Sequence, residues 1–200
     1  MGDVSNRTDA QIIESSFDQP SEFSTVFQRH FGAVHRYLST RVGIDVADEL
    51  ASETFARAFG ARARYRLDRS HALPWLFGIA TNLIKEHIRS ETAHLKALAR
   101  QAGQTVTELD MRLDEHAGVA RARADVARAL ATLHPGDRDV LLLVGWADLR
   151  YQDVASALSI PIGTVRSRLS RARRLMRIEL QTTKSIADLS VDWSEQEDPS

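Results

Sequence analysis

No cysteine occurs in the 200 residues, so disulfides and thiolate metal sites are excluded, as suits a reducing compartment. Long apolar runs are missing too. The longest, Val140 to Trp146, falls far short of the roughly 20 residues that a membrane-spanning helix needs. The stretch from Met1 to Pro20 is polar and acidic and offers no segment that could serve as a signal peptide. The common catalytic signatures are also lacking: there is no HExxH, no glycine loop to cradle a phosphate and no nucleophile elbow. The histidines are scattered, none paired with another at metal-ligand spacing. His30 and His87 fall on apolar faces, where a satisfied core residue is commoner than a ligand. These absences lead to the expectation of a cytoplasmic protein, not an enzyme, with no cofactor, no metal and no membrane insertion.

What is present is an ordinary globular composition, 43% hydrophobic and 26% charged, enough to build a core and contrary to disorder along the whole chain. The net charge of -1 looks wrong for a nucleic-acid binder until it is resolved by segment. Between Val119 and Ile178, eleven arginines stand against five aspartates, a net of +6. Between Glu179 and Ser200, Lys184 stands against six acidic residues, a net of -5. A basic domain followed by an acidic tail is a pattern of nucleic-acid-binding proteins.

Apolar spacings of three and four recur throughout and no strand-like alternation persists, so the chain reads as all-α. Phe23, Val26, Phe27, His30, Phe31, Val34, Tyr37 and Leu38 form one stripe, with Ser21 as a plausible N-cap. Ala47, Leu50, Ala51, Thr54, Phe55 and Ala58 form a second. Pro74 suits the start of a third helix, whose face is Leu76, Ile79, Ala80, Leu83, Ile84 and His87. The resulting division is a disordered N-terminal tail over 1–20, a helical domain over 21–92, a polar linker over 93–118, whose start around His94 to Arg100 reads either as linker or as an extension of the preceding helix, a helix-turn-helix domain over 119–180 and an acidic tail over 181–200. The fold expected is therefore two small helical domains joined by a linker, the C-terminal one a helix-turn-helix.

The segment Tyr151 to Arg177 carries most of the reading. A first helix turns Val154, Ala155 and Leu158 inward, and Pro161 ends it, since the residue before a proline disfavours the helical conformation. A second helix starts beside Gly163 and Thr164. On a wheel of about 100 degrees per residue, Leu169, Ala172 and Met176 cluster around Val165. Ser167, Ser170, Arg171 and Arg174 fall opposite, flanked by Arg166, Arg173 and Arg177. The major groove admits one helix, arginine pairs bidentately with guanine, and phosphates attract the flanking charge. The bland alternative is a solvated arginine-rich face, but arginines on the second helix of a short-turn pair favour DNA.

This segment resembles the promoter-distal DNA-binding region of extracytoplasmic-function RNA polymerase sigma factors, above all in Ala157-Leu158, Ile160 to Val165 and Ser167-Arg168-Leu169. Ser159 departs from the glycine common in the family; serine at a positive φ carries modest strain. Glu49 to Phe59 and Trp75 to Asn82 are similar to the family's first domain, in the same order and separation. The resemblance spans roughly Phe23 to Arg177.

It implies an alternative sigma factor that binds core RNA polymerase and directs transcription initiation. Thr164, Arg166, Ser167, Ser170, Arg171 and Arg174 would then read the minus-thirty-five element as duplex. Arg66, Asp68, Arg69, Ser70 and His71, in a loop able to hydrogen-bond an exposed base, would capture the unpaired minus-ten strand. Gly78, Asn82, Lys85 and Arg89 fall opposite the apolar stripe of their helix, and the last three would follow the backbone of that strand. Asp45, Asp48, Glu49, Ser52 and Glu53 form an acidic ridge that the resemblance aims at the clamp of the large polymerase subunit, although the helix dipole alone also accounts for Asp45 and Asp48. Promoter DNA and an anti-sigma factor are the other partners implied. The competing reading is a helix-turn-helix regulator that does not replace the sigma subunit; it requires a stable dimer on a palindrome without polymerase. The acidic tail is either a solubilising end or a segment that folds back onto the arginine helix or docks on a partner.

Overall fold

A computed structural model describes residues 7–102 and 119–191, with side chains over 7–94 and 124–182. Every regular element among the described residues is helical. In order these are α1 (Asp9–Ser15), α2 (Ser24–Val42), α3 (Ile44–Gly60), α4 (Leu73–Ala102), α5 (Val119–Thr132), α6 (Pro135–Gly145), α7 (Tyr151–Leu158) and α8 (Ile162–Val191), with 3-10 turns at Pro20–Phe23 and Arg62–Arg64. Two compact units result: Met1–Leu109 with Leu142–Ile162, and Asp110–Leu141 with Gly163–Ser200.

The first unit is built on α2, α3 and α4, whose apolar stripes meet. Val26, Val34 and Leu38 of α2, Ala47, Ala51 and Phe55 of α3, and Leu76, Phe77, Ala80 and Ile84 of α4 are all buried. Tyr37 closes the centre, its ring 5.2 Å from Phe77 and its hydroxyl 2.9 Å from the Thr81 hydroxyl. Gly43 separates α2 from α3 at φ 83°, a conformation in which a Cβ would be strained. Ser21, the expected N-cap, instead lies inside the 3-10 turn, and α2 starts at Ser24 with no side-chain cap.

The N-terminal stretch corrects the expectation of a disordered tail over 1–20. Residues 9–15 form a helix with a capping box between Thr8 and Gln11, and Ile12 and Ile13 are wholly buried. Each such burial stabilises by about 1.5–3 kcal/mol, enough to dock a helix too short to persist alone. Residues 1–6 lie outside the described residues. Likewise, α4 runs on to Ala102, so the start of the expected linker is helical, while 103–118 lie outside. The expected acidic tail begins within α8, which continues to Val191; what its side chains do from 183 onward lies outside the described residues.

α7 packs on α4 within this first unit. The contact centres on Gly78, where an added Cβ would stand 2.8 Å from the carbonyl oxygen of Ala157, so only glycine admits the helix at that distance. α7 ends at Ser159 in the left-handed conformation, φ 53° and ψ 46°, and the next amide, Ile160 N–H, donates to the Ala155 carbonyl at 3.0 Å, closing a Schellman-type cap. Serine there is strained. Ser159→Gly should raise stability by up to about 1 kcal/mol, the relief of left-handed strain less the extra freedom of glycine when unfolded. Urea unfolding measures this, and a midpoint that falls would contradict it.

In the second unit, Ala129, Leu130 and Leu133 of α5, Val140 of α6, and Val165, Leu169 and Ala172 of α8 are buried. No helix among the described residues is long and apolar enough to cross a membrane.

Candidate nucleic-acid interface

The long helix α8 presents two unlike faces. Val165, Leu169 and Ala172 are buried, while Arg166, Ser167, Ser170, Arg171, Arg173, Arg174 and Arg177 are exposed and Thr164 is half-buried. Thr164 and Ser167 are local, the Ser167 hydroxyl donating to the Thr164 carbonyl at 3.1 Å. Among the described residues, the ion pair from this face is Arg171 to Asp137, 3.2 Å, with the carboxylate side chain 1% exposed. Arg171 is thus held by the first turn of α6 while its side chain stays about half exposed. Arg168 is drawn to the same place, its guanidinium lying where a Cβ on Gly136 would stand 2.7 Å away. Arg166, Arg173, Arg174 and Arg177 have no ion pair among the described residues.

The loop before α4 is ordered by contacts that the sequence does not advertise. The Tyr65 ring packs against Trp75, centroids 5.0 Å apart and planes tilted by 52°, and its hydroxyl donates to the Arg69 carbonyl at 2.6 Å. Burial, and then the negative charge of Asp9, push the phenol up to about 12, so it remains a neutral donor. Arg66 and Asp68, both exposed, pair bidentately at 2.7 and 3.1 Å, and the hydrogen bond from Arg66 holds the Asp68 carboxyl below its ordinary range. Arg69 reaches Asp153 of α7 at 3.8 Å, and Asp153 also accepts from Arg150 at 2.9 Å. Ser70 and His71 are exposed.

The end of the loop is tied down by Asp9, which sequence reasoning missed. Its Oδ2 accepts the Ala72 amide at 2.8 Å and His30 Nε2 at 2.7 Å, its Oδ1 accepts Arg29 at 3.1 Å, and its own amide donates to the Ser70 carbonyl at 3.1 Å. Burial by itself would raise the carboxyl, but the bonds from His30 and Ala72 outweigh it and hold the group at about 2. A carboxyl held below its unfolded value stabilises above that value and loses the effect as pH falls, here between about pH 4 and pH 2. The contribution is about 2 kcal/mol. Urea unfolding of the wild type and Asp9→Asn should therefore converge by that amount between pH 5 and pH 2; a constant difference would refute the assignment.

Asn82, Lys85 and Arg89 are exposed along α4, on the line that begins at Gly78. α7 covers that first position, which the sequence left on the open face.

On α3, Asp45, Asp48, Glu49 and Ser52 are exposed and Glu53 is half-buried. Three of them are engaged: Asp48 bonds His35 at 2.8 Å, the Ser52 hydroxyl donates to the Asp48 carbonyl at 3.0 Å, and Glu53 accepts from Arg57 at 2.7 Å. Arg57 also reaches Glu86 of α4 at 2.7 Å. Glu49, Ser52 and Glu53 line a groove with Arg57 of the same helix and with Glu86 and His87 of α4, the last two invisible to a reading of α3 alone. Among the described residues, no group of three or more His, Asp or Glu could hold a metal ion.

Residues 26–94 match the family described as Sigma-70 region 2, and residues 123–176 match Sigma-70, region 4. The chain is 35% identical to the ECF RNA polymerase sigma factor SigC of Mycobacterium tuberculosis over 140 residues, covering 70% of this chain and 73% of that protein. In fold it is similar to the sigma factor RpoE of Bartonella quintana, solved with the anti-sigma factor NepR, at TM-score 0.64 and 21% identity over 80% of this chain and 98% of that one. It is likewise similar to CnrH, solved with the cytosolic domain of CnrY, at TM-score 0.66 and 22% identity over 87% and 97%. Two DNA-reading regions matched in order, and a relative of that identity and coverage, place the chain in the sigma-70 family as an extracytoplasmic-function sigma factor, an alternative subunit that directs transcription initiation.

Proposed function

We propose that this sigma factor divides promoter recognition between its two ends. α8 lies in the major groove of the minus-thirty-five element, with Thr164, Arg166, Ser167, Ser170, Arg171 and Arg174 toward bases and phosphates. Arg66, Asp68, Arg69, Ser70 and His71 take an unpaired base of the minus-ten strand, and Asn82, Lys85 and Arg89 follow its phosphates. Removing a base from the stack costs a few kcal/mol, which base contacts and backbone charge offset. The single observation that carries this reading is the arginine face of α8, exposed over a narrow buried seam and in large part free of internal ion pairs. The α3 ridge meets the basic clamp of core polymerase. The protein acts in the cytoplasm, carries out no catalysis of its own and is restrained by an anti-sigma factor, a partner supported by the complexes in which both fold neighbours were solved.

Two weak readers joined in one chain gain from effective concentration only when polymerase fixes their spacing. The contact of α7 with Gly78, at the head of the strand-following face, fits a chain that binds promoters poorly on its own. Adding the purified chain to sigma-free core polymerase should give start-site-specific transcription from genomic fragments. Stable binding of the free chain to a palindrome, with no effect of core enzyme, would instead identify a conventional regulator.

A further inference from the structure

We propose that Asp9, in the short N-terminal helix, is a positioning residue for minus-ten recognition: it fixes the backbone on both sides of His71 and so holds the strand-capturing loop in its reading conformation. The inference rests on the reading of residues 66–71 as that loop. Ser70 and Ala72 are both bonded to Asp9, one through its amide at 3.1 Å and the other through its carboxylate at 2.8 Å. His71 stands between them with its side chain exposed. The loop's other ties are internal or lead to a different element: Arg69 N–H to the Arg66 carbonyl at 2.9 Å, Tyr65 to the Arg69 carbonyl, and Arg69 to Asp153.

Asp9 is itself anchored. Its carboxylate, which only accepts, receives Arg29 and His30 from α2, so His30 Nε2 carries the hydrogen. α1 is seated by Ile12 and Ile13 and clipped by Arg7 to Glu22 at 2.7 Å. The carboxylate therefore joins α2, α1 and the loop through three donors converging on two oxygens. An asparagine offers one oxygen and turns an NH2 group against donors. Ordering the loop before the strand arrives removes an entropy cost from capture and keeps its polar groups within the narrow tolerance that recognition needs.

The test uses holoenzyme reconstituted with the full chain. A non-template-strand library randomised across the minus-ten positions identifies the preferred sequence, and the ratio of affinities for it and for its single-base variants is then measured. Asp9→Asn should reduce that ratio roughly tenfold toward unity, as expected for groups misplaced by a fraction of an ångström, while affinity for core polymerase stays unchanged. Ile13→Val, which loosens α1 without touching these bonds, should leave the ratio intact. A merely structural role would lower the folded fraction of both variants and alter neither ratio, and that result overturns the proposal. Arg66→Ala with His71→Ala tests the underlying reading separately: an unchanged ratio in this variant shows that the loop does not read the strand, whereas a flattened ratio here with a wild-type ratio in Asp9→Asn defeats only the positioning role. If Asp9→Asn does not fold, Asp9→Glu replaces it, since the added methylene displaces the carboxylate from Ala72 and should flatten the ratio equally.

Discussion

Alanine at both Arg166 and Arg174 is expected to weaken holoenzyme binding to the minus-thirty-five duplex by about 100-fold or more, each guanidinium contributing on the order of 1–3 kcal/mol if it meets a base edge. Both residues are exposed and form no ion pair among the described residues, so the loss should come without loss of folding. The salt dependence separates the two ways an arginine can act. Each phosphate contact removed lowers the slope of log affinity against log salt by about one, whereas a base contact relaxes sequence preference. Arg171 behaves differently because Asp137 already holds it: its substitution also strands a carboxylate with a 1% exposed side chain, and part of the effect will appear in stability. Affinity measured at stepped potassium chloride decides the matter. A double variant that binds the duplex as tightly as wild type would mean that the face is merely solvated.

Charge reversal on α3 should have an effect of the same order on a different partner. Glu49→Lys with Glu53→Lys is expected to weaken binding to core polymerase by about 100-fold, since like charges set against a basic surface cost several kcal/mol. Glu49 is exposed and has no ion pair among the described residues, so its carboxylate is available. Glu53 is half committed, bonded to Arg57, which is shared with Glu86. Its reversal removes one partner of an exposed network, and exposed pairs contribute little to folding. The double variant should therefore keep its thermal transition while losing competition for core enzyme. Unchanged competition would place the clamp contact elsewhere.

The acidic ridge and the arginine face were legible in the sequence because both follow from the 3.6-residue period within one helix. The same holds for the buried stripes of α2, α3 and α4, except at Phe27, which the stripe of α2 included and the structure leaves exposed. α1 was not legible, although its Thr8 to Gln11 capping box is a sequence-level signal. Seven residues give too few turns for a period to register, and what keeps the helix in place is the burial of Ile12 and Ile13 against the rest of the first unit, not its own propensity. The strain at Ser159 was legible as a condition: the missing glycine showed where a positive φ would matter, and only the backbone showed that it does.

The sequence by itself determined that the chain is helical, that it carries a helix-turn-helix with arginines opposite an apolar seam, and which family it resembles. All of these depend on residues a few positions apart, whose geometry the helix fixes. Tertiary structure alone decided that Asp9 holds a loop 63 residues away, that Asp137 restrains Arg171 across 34 residues, and that Gly78 is covered by Ala157. Those pairings depend on where separate helices come to rest, which is set by the packing of whole faces and leaves no mark in the local order of residues.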